Sequence, residues 1–233
     1  MIYQGTSANT TGTGTNIGME KFNNVESNSA NEYVGYKYDI NQVHGLGTQS
    51  TIKQFLDNWY TNNGLSNYGD KIDGNAGFCG DRTPSTINSS SNGQGGTGAT
   101  FTYYGAYIRL STNKVPTFEC ANDSDLYTTS ESTNGNKALT YPIGLITADE
   151  VAYAGGVYGN SNTRFYLYTN TNYWTMTPYE FNAGGATVFI NYSNGEFQWD
   201  GIHSTNYIRP VINLKADVTI SGSGTTTDPY VVN

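Results

Sequence analysis

The chain has 233 residues, a formal net charge of −8 and a pI near 4.6. Charged residues make up only 13%, against 20 tyrosines and 28 glycines, a balance that excludes a solvated disordered chain. Nucleic acid and anionic membrane surfaces are excluded as partners, because both need clustered Lys and Arg and the 11 basic residues are thinly spread.

The sequence contains no apolar run of the roughly 18 residues that would insert in a membrane. Residues 1–5 lack the charged and apolar regions of a signal peptide, so a secreted chain would be seen here in processed or shortened form. Tyr together with Asn, Ser and Gly is the composition of adaptable binding surfaces: wide aromatic contact at low rotamer cost, plus flexible hydrogen bonding.

In chain order, residues 1–47 read as short strands and long loops, with aromatic pieces such as Tyr33-Val34-Gly35-Tyr36. Ile52, Phe55, Leu56, Trp59 and Tyr60 then fall on one helical face, with Ser50 as N-cap and Asn62-Asn63-Gly64 as stop. Residues 85–98 are a low-complexity Ser/Asn/Gly loop, and residues 101–110 read as a strand or two. Asn122-Asp123-Ser124-Asp125 is a turn cluster whose spacing matches no EF-hand.

Thr147-Ala148-Asp149-Glu150 is a capping box that opens a second, short helix ending at Gly155-Gly156. Thereafter the chain reads as β, with candidate strands at 164–168, 173–177, 186–190 and 208–214 and a hairpin signal at Ser193-Asn194-Gly195. There is no internal repeat and no interdomain linker, so residues 1–233 are expected to form one α+β domain of two helices, short β-strands and long loops.

Cys79 and Cys120 either pair in a disulfide or stay as two buried thiols; an oxidising compartment favours the pair. A metal site is not expected, since CxxC spacing and clustered His are both absent from the sequence, and His44 and His203 lie far apart in loop-like stretches. Nor is an enzyme expected: no Gly-x-Ser-x-Gly elbow occurs and no nucleophile, base and orienting group are set out together. No cofactor is implied. Trp174 reads as a core anchor. Trp199, in the polar stretch Glu196-Phe197-Gln198-Trp199-Asp200, reads as the better candidate for a ligand contact, with packing as its alternative. Arg209 reads as a structural charge paired with a buried carboxylate.

Longer motifs run through the chain. They are Tyr173-Trp174-Thr175-Met176-Thr177-Pro178, then Ala186-x-Val188, Gly195 and Ile208-Arg209-Pro210-Val211-Ile212-Asn213-Leu214. Upstream lie Leu56-Asp57-Asn58-Trp59-Tyr60, Phe78-Cys79-x-Asp81-Arg82 and the run from Tyr141 to Gly156. Together they resemble C-type-lectin-like domains of gut Firmicutes surface proteins, whose pattern is roughly W-T-M-S-P, A-x-V, Gly, then G-V-R-P-V. The resemblance implies the C-type-lectin-like fold, in the variant shared with formylglycine-generating enzymes and with the variable proteins of diversity-generating retroelements. It also implies more chain before the counterpart of residues 2–7 than is present here. The cysteines of the formylglycine-generating enzymes lie late in the domain, where this chain has none after Cys120.

In the retroelement proteins the segment before the final strands is the ligand surface, which implies residues 179–207 here. Tyr179, Asn182, Thr187, Phe189, Asn191, Tyr192, Asn194, Asp200, His203, Ser204, Asn206 and Tyr207 can all arise from an Asn codon by changing its first two bases; Glu180, Glu196, Gln198 and Trp199 cannot. Where the family has Gly before Val-Arg-Pro this chain has Tyr207, which would be strained if that position needs a positive φ. True C-type lectins bind sugar through calcium on Glu-Pro-Asn and Trp-Asn-Asp motifs, of which Gln198-Trp199-Asp200 is only a faint echo. The expectation is thus an extracellular or cell-surface binding domain, an adhesin or receptor-binding module, whose partner is a protein or glycan on another cell or surface. The alternative is a pilin-like structural subunit without a specific ligand.

Overall fold

A computed structural model describes residues 1–7, 10–25, 30–40, 42–87, 101–182, 185–225 and 227–233. The strands in chain order are β1 (Met19–Lys21), β2 (Lys37–Tyr38), β3 (Thr48–Gln49), β4 (Phe78–Cys79), β5 (Thr102–Tyr103), β6 (Leu126–Tyr127) and β7 (Gly144–Leu145). They continue as β8 (Tyr173–Asn182), β9 (Gly185–Asn191), β10 (Phe197–Gly201), β11 (Thr205–Tyr207), β12 (Pro210–Val211), β13 (Ile220–Ser221) and β14 (Val231–Val232). Two α-helices, α1 (Thr51–Asn62) and α2 (Ala148–Tyr153), join them, with short 3₁₀ turns and one π-helical segment, Tyr107–Thr112. The class is therefore α+β, with many short strands in small sheets.

The main sheet runs β1-β11-β8-β9-β10, with β5 also paired to β8. β8 is antiparallel to β9 and β5 and parallel to β11, and nine of its ten residues are buried. Trp174 on β8 is fully buried; its indole N–H donates to the Glu20 carbonyl at 2.9 Å and its ring meets the edge of Phe22. This contact fastens the early β1 segment to the late sheet.

Helix α1 starts where Ser50 accepts from the Lys53 N–H, and Gly64 turns the chain beyond its end at φ +65°. Ile52, Leu56 and Tyr60 are buried, while Phe55 and Trp59 are half-buried. Lys53 is also fully buried, paired with Asp57 and lying over the Tyr36 ring. In α2 both bonds of the Thr147/Glu150 capping box are present, and Gly155 follows at φ +106°.

Several elements differ from the sequence expectation. Residues 164–168 form turns rather than a strand. Residues 101–110 hold only the two-residue β5 before the chain coils into the π-helical segment. Tyr33 and Val34 lie in a 3₁₀ turn, and 208–214 contributes only β12 and an isolated bridge at Leu214. Most of the low-complexity loop, residues 88–98, lies outside the described residues.

Arg209 is fully buried, yet among the described residues no carboxylate pairs with it. Its guanidinium donates to the carbonyls of Tyr3 and Leu167 and to the Gln4 side chain, and it lies 4.9 Å from the Tyr173 ring centroid. Carbonyl oxygens and a π-face solvate the cation in place of a counter-ion. Tyr207 sits in β11 paired with Met19 and Tyr173, outside the left-handed region, so it carries no glycine-type strain.

Cys79 and Cys120 form a disulfide across 41 residues of sequence. In the chain-entropy description such a closure is worth about 4 kcal/mol. Replacing both with alanine should lower the urea-unfolding free energy by up to that amount; an unchanged value would mean that the β4–β6 pairing holds the loop unaided.

Candidate aromatic binding face

Direct opposition across β9 and β10 puts Phe189 beside Trp199 and Asn191 beside Phe197. Residues opposite one another in an antiparallel pair share a face. On that face Tyr179 stacks on Trp199, with centroids 5.7 Å apart and planes at 19°, and meets the edge of Phe189 at 5.0 Å. Phe189 stacks in turn on Phe197 at 5.1 Å. Tyr158 closes the group, its hydroxyl 2.7 Å from that of Tyr179. Tyr107 extends it, its ring 4.9 Å from that of Tyr179, and Tyr103 lies 3.9 Å beyond Tyr107.

The column has a buried end and an open end. Phe189 and Phe197 are fully buried and Tyr179 is nearly so, whereas Trp199 is 40% exposed. Trp199 is therefore a large apolar ring held toward solvent by a stack beneath it. Tyr192 supports the same strand by donating to the Trp199 carbonyl at 3.0 Å. Burial raises the Tyr179 and Tyr158 hydroxyls above their ordinary pKa, and Tyr103 is pushed up to about 12, so all three are neutral hydrogen-bonding phenols at physiological pH.

The other residues expected at the surface divide into three groups. Thr187, Phe189, Asn191 and Asn206 are buried. Thr187 exchanges hydrogen bonds with the Glu180 backbone, and Asn191 donates to the Tyr192 carbonyl. Asp200 accepts from the Gly201 N–H, the Ser204 hydroxyl and the Asn206 amide at 2.8 to 2.9 Å. These side chains meet, but they bond one another and tie the β10–β11 turn. Asn194 is exposed in the β9–β10 turn, where it bonds Glu196, and His203 is exposed with its ring against Gly201. Tyr207 is half-buried at the β1–β11 side of the sheet. Asn182, partly buried at the end of β8, donates to Glu180.

Sequence reasoning did not bring in Tyr158, Tyr107, Tyr103 or Phe197. Tyr103 ends β5 and Tyr107 opens the π-helical segment, so no single period in the sequence brings the two rings together.

Elsewhere the buried charges serve the fold. Asp125 accepts from the Arg82 N–H and guanidinium and lies 2.8 Å from His44 Nδ1, while Asn122 faces the other ring nitrogen. The Asp125 carboxylate thus ties the His44 loop to the Arg82 segment. In the turn cluster, Asn122 and Asp123 accept backbone N–H groups from Ser124 and Gly135. No group of three or more His, Cys, Asp or Glu able to hold a metal ion occurs among the described residues, and no helix among them is long and apolar enough to cross a membrane.

No protein-family model matches this chain, and no curated protein or solved structure matches it significantly.

Glu180, buried beside the aromatic column, has its pKa raised from 4.5 by burial, with the Asn182 amide pulling the other way. The native state then holds that proton more tightly than the unfolded chain. Stability should fall as pH rises from below 4.5 through the higher native value. In urea titrations Glu180→Gln should make this decline shallower, leaving the part due to Asp81, whose pKa burial also raises. An unchanged slope would show that Glu180 ionises in the fold without cost.

Proposed function

We propose that this chain is an extracellular binding domain of C-type-lectin-like architecture that engages a protein or glycan on another cell or surface through Trp199. The observation that carries the reading is the stack itself: a 40% exposed indole laid on the nearly buried ring of Tyr179. Exposed aromatic rings that are already ordered lose little entropy on binding, which is why Trp and Tyr dominate interface hot spots. Tyr192 braces the strand that carries the ring, while Asn194 and Gln198 on the same hairpin both donate to Glu196, so a carboxylate stands among the polar side chains of this edge. The Cys79–Cys120 disulfide is compatible with an oxidising, extracellular setting.

The burial pattern supports a fixed surface over a diversified one. Phe189, Asn191 and Thr187 lie in the core, where free substitution would open cavities or strand polar groups. Trp199, the exposed anchor, is not reachable from an Asn codon by the first-two-base route.

On an array of surface glycans and host-surface proteins, Trp199→Ala should weaken the ligand detected by the native chain by about 2 kcal/mol or more, roughly thirtyfold. A variant that keeps full binding would remove Trp199 from the site, and binding to neither class would favour a structural subunit.

A further inference from the structure

A second surface lies where α2 meets the segment before Cys120, whose Lys114 and Pro116 border Tyr158 of the aromatic column. Phe118 and Tyr153 stack there with centroids 4.1 Å apart and planes at 14°, although the two are 72% and 52% exposed. The Tyr153 hydroxyl donates to the Pro116 carbonyl at 3.0 Å, which fixes the ring pair, and Val115 beside it is also exposed. Large apolar side chains gathered and ordered at the surface mark contact sites more often than scattered ones do.

The ring pair borders a cleft of about 130 Å³ that Phe118 itself lines. The charged groups lining the cleft are Asp81, Asp149, Glu150, Glu119 and, as the one cation among the described residues, Arg109. Arg109 is spent internally, donating to Asp81 and Asp149 at 2.6 Å each. Glu150 uses one oxygen in its helix cap. The exposed Glu119 carboxylate accepts no hydrogen bond among the described residues. The Met1 ammonium also feels Glu150, but it is held by the Ile212 carbonyl at 2.7 Å. The cleft is therefore acidic beyond what its own cation neutralises, with aromatic faces at its rim.

We propose that this cleft docks a basic protein segment, one Lys or Arg side chain lying across Phe118 and Tyr153 and carrying its charge toward Glu119 and Glu150. Such a side chain has an apolar stem that matches the ring faces and a cationic head that matches the carboxylates. An acidic or neutral segment would satisfy only half of the surface. The site goes beyond the Trp199 reading and does not depend on it.

Tetralysine tests this with the isotopically labelled chain by NMR at physiological ionic strength. Amide shifts should concentrate at residues 117–120 and 148–153. Phe118→Ala with Glu119→Gln should weaken the interaction about tenfold, and Nε-acetylated tetralysine should produce no shifts. Both substituted side chains are exposed, and unchanged amide positions elsewhere would confirm that the variant folds. Shifts spread evenly over other acidic stretches, equal binding by the double variant or by the acetylated peptide, or no shifts at all would each overturn the proposal.

Discussion

Strand β8 is buried along almost its whole length, and that constraint organises the rest of the molecule. A strand closed in on both sides must find partners for its backbone and for both sets of side chains. β9 and β5 pair along it, while β11 joins it in parallel at Tyr173. Trp174 projects to the side where Phe22 and the Glu20 carbonyl receive it. Tyr179, five residues on and past register shifts around Pro178, joins the aromatic column that ends in Trp199. One strand thus links the deepest contact of the core to the exposed ring proposed to bind.

The basic residues follow a similar logic. Lys53, Arg82 and Arg209 are fully buried and Arg109 is mostly so. Each sits among carboxylates, carbonyls or tyrosine rings that replace its hydration. Breaking one such arrangement by removing a partner leaves an uncompensated charge, which costs more than the intact pair contributes. Of the 11 basic residues, four thus serve as internal fasteners.

The helices and the long late strands could be read from the sequence because their signals are local. The α1 face, the Thr147/Glu150 capping box and the β-branched and aromatic enrichment of 173–177 and 186–190 are each set by neighbours a few residues apart. What could not be read depends on distant partners. Lys53 has its partner Asp57 one helical turn away, but its burial depends on the Tyr36 ring, which comes from before the helix and covers it. Arg209 needs no carboxylate because the carbonyls of Tyr3 and Leu167 reach it from remote segments. In the binding segment, codon reach says nothing about which face of a strand a residue occupies. Phe189 and Trp199 sit opposite one another, yet one is core and the other surface, because β10 lies at the end of the sheet order.

The central claim is that Tyr179 holds Trp199 in place as a rigid surface ring. A double-mutant cycle on stability, using Tyr179→Leu, Trp199→Ala and the pair, tests it most directly. The account predicts a coupling energy of about 0.5–1.5 kcal/mol, the range found for aromatic pairs beyond their buried area. Additive effects, with no coupling beyond error, would contradict it and leave Trp199 a loosely held side chain.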